Sequence, residues 1–151
     1  VQPPLSAEQQ KQIETLAERL LQLYDCSRPP VPIEQILARP PKELQGMDMS
    51  DLSLVFGIGE HRHEYRMAMA RFLYRELCRS GRDGWAGVDL PYHNEAARYF
   101  AICVLAPRAW IVKSTRNPLT NLEKLSEEFQ VPEYAMASRL AQMGKRVRGM
   151  Q

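Results

Sequence analysis

Cysteine and histidine, common metal-holding residues, are scarce in this chain: 151 residues carry three of each. Cys26, Cys78 and Cys103 are odd in number and share no CxxC spacing, which argues against a zinc ribbon and against a disulfide framework. Free thiols inside apolar helical patterns are ordinary and suit a reducing, cytoplasmic setting. No apolar run approaches the roughly 20 residues that span a bilayer, and no charged n-region with an apolar h-region opens the chain. It opens on Val1 rather than Met, which leaves residues upstream an open matter. Neither sign of charge dominates: 20 Lys and Arg against 18 Asp and Glu leave +2, which speaks against a nucleic-acid or membrane partner. Also missing are a Gly-rich phosphate loop before a helix and a readable Ser-His-Asp or Cys-His arrangement.

Proline, by contrast, is plentiful. Pro3, Pro4, Pro29, Pro30, Pro32, Pro40 and Pro41 cut the first third into short pieces. With 44% hydrophobic and 25% charged residues, the chain reads as one globular domain over 1–151. Ser6 and Gln9 form a capping box, and Ile13, Leu16, Ala17, Leu20 and Tyr24 follow at helical spacing, predicting helix one over 6–24. A short helix is expected from Pro32 to Ala38. In 42–60, Leu52, Val55, Phe56 and Ile58 with Gly57 and Gly59 suggest a small hairpin sheet. The helical period returns over 64–80 through Tyr65, Met69, Phe72, Leu73 and Leu77. It recurs over 93–106 through Ala97, Phe100, Ala101, Val104 and Leu105. Thr120 with Glu123 reads as a second capping box, opening a helical pair over 120–144 that ends at Gly144.

The second half carries a resemblance. The run from Asn94 to Pro107 resembles the segment "E-x-E-A-N-x-F-A-x-x-L-L-x-P" of the ImmA/IrrE metallopeptidase-like regulators, with Ala97, Phe100, Ala101, Leu105 and Pro107 in place. Phe129, Val131, Arg139, Leu140 and Gly144 follow that family's next rhythm, "L-A-x-x-F-x-V-S-x-x-x-x-x-x-R-L-x-x-L-G". The resemblance implies a zincin-like domain: predominantly helical α+β, with a small sheet and a C-terminal helical pair.

It also implies where chemistry would lie, and there the chain departs from the pattern. The family's zinc helix reads "R-F-T-L-A-H-E-L-G-H", two His ligands one turn apart with a Glu that activates water. The matching stretch here, 66–75, keeps Arg66 and Ala70 but puts Arg71 and Arg75 at the His positions and Phe72 at the Glu position. A guanidinium has no lone pair for a metal, and a phenyl ring abstracts no proton. The third ligand, a Glu, falls on Asn94, with Glu95 one residue out of register. The expectation is therefore a catalytically inactive domain without a cofactor. Its former metal cleft, made of Arg71, Phe72, Arg75, Asn94 and Glu95, would hold an anion or the acidic group of a protein partner. By resemblance that partner would be a transcriptional regulator. Against this stands the plainer account of Arg71, Arg75 and Arg79 as a solvated helix face or as partners of Glu64, Glu76 or Glu95.

Two alternatives belong to other classes. His61, His63 and His93, with a Glu, would form a displaced metal site for hydrolysis if the chain were extended at 61–63. The C-terminal pair would bind DNA if its second helix offered Arg139 and Gln142 to a groove, with Lys145, Arg146 and Arg148 behind them.

Overall fold

Ser6 begins helix α1 (Ala7–Leu23) by a reciprocal exchange: its hydroxyl accepts the Gln9 N–H at 3.1 Å, and the Gln9 side chain accepts the Ser6 N–H at 3.0 Å. The computed structural model describes residues 4–42, 62–80, 87 and 89–150. Helix α1 buries Ile13, Leu16, Ala17, Leu20 and Leu21 and ends at Tyr24, after which Asp25 turns the chain with φ +53°. The Tyr24 hydroxyl donates to the Arg39 carbonyl and so pins the end of the short helix α2 (Ile33–Ala38) against α1.

Five further helices complete the described residues: α3 (Arg62–Ser80), α4 (Asn94–Leu105), α5 (Arg108–Ser114), α6 (Leu122–Phe129) and α7 (Glu133–Gln142). Helix α4 is the axis of the fold. Eight of its twelve residues are buried, and three of those are alanines that let neighbours approach closely. A helix that is apolar around most of its circumference has to be surrounded. Accordingly α4 packs against α3, α1 and α7, its longest contact being with α3. The Tyr74 ring lies 5.2 Å from that of Phe100, while the Tyr74 hydroxyl donates to the Pro91 carbonyl. The later turns of α3 thus meet the start of α4, and the two run antiparallel. His93 caps α4, its Nδ1 accepting the Ala96 N–H at 3.2 Å.

Arg66, 3% exposed, fastens α3 to its surroundings. Its guanidinium donates to the Val31 carbonyl at 2.6 Å, to the Gln130 carbonyl at 3.0 Å and to both oxygens of Glu34 at 3.2 Å. The Gln130 carbonyl is available because that residue adopts a left-handed conformation, φ +54°, which closes α6 and turns the chain into α7.

Two expectations are corrected. The α+β class does not hold: the described residues form seven helices and no strand or sheet, and an isolated parallel bridge between Asn121 and Arg148 stands outside any strand. The physical reason is that the longer described helices carry the 3.6-residue period, while the run that suggested strands lies in 43–61, outside the described residues. The cap of α6 is Asn121, whose side chain accepts the Lys124 N–H at 2.8 Å, and not Thr120, which is buried. Asn ranks above Thr at an N-cap, which favours this one-residue shift.

Candidate functional site

Three helices leave a cleft of about 740 Å³ between them. Helix α3 contributes Glu64, Met67 and Arg71, spaced i, i+3, i+7 on one face. Helix α4 contributes Asn94, Glu95, Arg98 and Ile102, the one stripe of that helix that is not buried, together with the inner residue Tyr99. Helix α7 contributes Tyr134, Ala135, Ser138 and Gln142. Formal charge in the lining cancels, Glu64 and Glu95 against Arg71 and Arg98.

These charges are held loosely. Among the described residues, Arg71, Arg98 and Glu95 make no ion pair within 4.0 Å, although all three face the same space. Glu64 lines the same space, and its carboxylate acts on the Tyr134 hydroxyl of α7. Burial, followed by the hydrogen bond and charge of Glu64, raises the Tyr134 hydroxyl above its ordinary pKa, while Arg71 and Arg98 pull the other way. That opposition places both guanidiniums within electrostatic reach of one hydroxyl at the rim. Tyr134 itself is 60% exposed.

Of the residues singled out from sequence, Arg71, Asn94 and Glu95 therefore come together in one cleft. Phe72 and Arg75 stay out of its lining. Phe72 is buried, the Arg75 guanidinium lies over its ring at 4.8 Å, and Arg75 also contacts Glu76 at 3.4 Å. The histidines do not gather. His61 lies outside the described residues; His63 Nε2 is 4.0 Å from Glu127 on α6; His93 is engaged as the cap of α4. Among the described residues, no three His, Cys, Asp or Glu side chains converge as a metal site would need.

Arg98 was missed in the sequence, although it lies one turn from Asn94 and three residues from Glu95, and so had to share their face. A second cluster was missed entirely. Arg139, fully buried, grips the Glu14 carboxylate of α1 with two nitrogens, at 3.1 and 2.5 Å, and donates its Nε to the Ala106 carbonyl at 2.9 Å. Arg108 Nε adds a contact to Glu14 at 3.0 Å, Cys103 Sγ at 2.8 Å and the Tyr99 hydroxyl at 3.4 Å. Burial pushes the Glu14 carboxyl up, but hydrogen bonds from Arg139 and Cys103 and the charges of Arg139 and Arg108 outweigh it and hold the pKa below 4.5. Burial also pushes the Cys103 thiol far up, so it stays protonated and serves as a donor, not a nucleophile. Buried in this way, Arg139 is unavailable to a DNA groove, and Gln142 belongs to the cleft wall.

No family model, no curated protein and no solved structure matches the chain. No helix among the described residues is long and apolar enough to cross a membrane.

Proposed function

We propose that this chain is a regulatory, protein-binding domain with an ImmA/IrrE-like order of helices and no peptidase chemistry, and that the cleft between α3, α4 and α7 receives an acidic group of a cytoplasmic partner protein. The observation that carries the reading is the convergence of Arg71 and Arg98, from two different helices, in one open cleft with no carboxylate partner within 4.0 Å among the described residues. A guanidinium offers planar, multiply donating recognition of a carboxylate, and two of them share the cleft while Glu64 and Glu95 balance its formal charge. Asn94, Ser138 and Gln142 supply neutral donors and acceptors for a peptide backbone. The resemblance adds the class of partner, a transcriptional regulator, and puts one of the two cleft arginines, Arg71, where a zinc ligand would stand.

Thermal unfolding in sulfate, phosphate and citrate tests this. The wild type is expected to rise in Tm with citrate, and a variant carrying Arg71→Ala and Arg98→Ala is expected to lose that rise. An identical response in both proteins removes the cleft from the account. Stoichiometric zinc in protein purified without a His tag, together with cleavage of casein, would instead favour the hydrolase alternative.

A further inference from the structure

The charges in the cleft are ordered as well as open. Because α3 and α4 run antiparallel, with Tyr74 and Cys78 beside Pro91, the start of α4 lies against the later turns of α3. Glu95 therefore marks one end of the cleft. Arg98 is one helical turn further along α4, a rise of about 4.5 Å, with Arg71 facing from α3. Glu64 lies two turns from Arg71 on α3, on the side away from Glu95, and also lines the cleft. Read from the start of α4, the sequence of charge is thus one acid, Glu95, then two bases, then the second acid, Glu64.

A ligand that is only anionic meets attraction at Arg71 and Arg98 and repulsion at Glu95. A ligand with a cation beside its carboxylate satisfies all three side chains. In an extended peptide, side chains two residues apart lie on the same face at about 6.6 Å, a span these long side chains can match. From this, and resting on the reading of the cleft as an acid-binding site, we infer that its ligand is a dipolar peptide segment. That segment carries an acidic side chain, held by Arg71 and Arg98, and a basic side chain two residues away, held by Glu95.

Three short peptides, acetylated and amidated so that only side chains are charged, test the inference by NMR titration of the isotope-labelled full chain. They share an Ala background and contain Glu-Ala-Lys, Glu-Ala-Ala or Gln-Ala-Lys. The Glu-Ala-Lys peptide is expected to bind about two- to fivefold more tightly than Glu-Ala-Ala, the worth of an exposed ion pair. Glu95→Gln should erase that preference while leaving Glu-Ala-Ala bound at least as well. Glu95→Lys should reverse it, in favour of Glu-Ala-Ala. Glu95 is exposed, so both variants keep the fold, which their spectra verify. Equal affinity of the wild type for Glu-Ala-Lys and Glu-Ala-Ala, with both lost in Arg71→Ala/Arg98→Ala, would overturn the dipolar inference and leave acid binding standing. Absence of shifts at cleft residues with every peptide would overturn both.

Discussion

On one side of Tyr99, Glu14, Arg108 and Arg139 are drawn into contacts of 2.5 to 3.1 Å, and Arg139 has no exposure at all. On the other side, Arg71, Arg98 and Glu95 face about 740 Å³ of open space and form no ion pair among the described residues. Tyr99 touches both, lining the cleft while its hydroxyl reaches Glu14. The side chains are alike and their settings are opposite. Buried, each charge has to be matched within the protein, because an unmatched one costs several kcal/mol. In a wet cleft an unmatched charge costs little and remains available to another molecule. The first cluster accounts for how α1, α4, α5 and α7 hold together, and the second for what the surface can bind.

The sharpest way to break this contrast is to damage the buried side. Arg139→Met removes two of the three guanidinium contacts to Glu14 and strands the Ala106 carbonyl, and is expected to lower stability by about 3–5 kcal/mol in urea unfolding. Adding Glu14→Gln to it should cost far less than the two single changes summed, since the partners act as one unit. Additive costs would mean the pair is no unit. Arg66→Met tests the same logic at the other buried guanidinium. It leaves the Val31 and Gln130 carbonyls unsatisfied, for an expected loss of about 1–3 kcal/mol. A loss below about 0.5 kcal/mol would show that these contacts add nothing net.

Acid provides a subtler probe. The Glu14 pKa is depressed in the fold, so its stabilising contribution is complete above the ordinary carboxylate value of 4.5 and disappears as pH falls through the lower folded value. Stability should therefore fall more steeply with acid in the wild type than in Glu14→Gln, the two curves converging below that window. Parallel curves would place the acid sensitivity elsewhere.

The same contrast explains what could be read from sequence. Helical period reveals which residues share a face: it put Ile13, Leu16 and Leu20 inside and Phe100, Val104 and Leu105 on one face of α4, whereas Asn94 and Glu95 came from the resemblance. It does not reveal what that face meets. Glu14 and Arg139 are 125 positions apart and belong to different helices, so no local pattern joins them. Arg71 and Arg75, one turn apart, read alike in sequence; yet the cleft ends between them, and Arg75 lies over Phe72 instead. Arg98 was legible once Asn94 was assigned to a site, because spacing on a helix forces the two together. The sheet expected in 42–60 rested on a short apolar run, for which period alone does not separate strand from helix.

Urea unfolding of the Arg71→Ala/Arg98→Ala variant beside the wild type, each with and without citrate, tests the central claim most directly. Without citrate the two should differ by no more than about 0.5 kcal/mol, as for side chains outside the core with no ion pair among the described residues. With citrate, only the wild type should gain stability. A large loss without citrate, or an equal gain in both proteins, would contradict the claim that these arginines are held for binding and not for the fold.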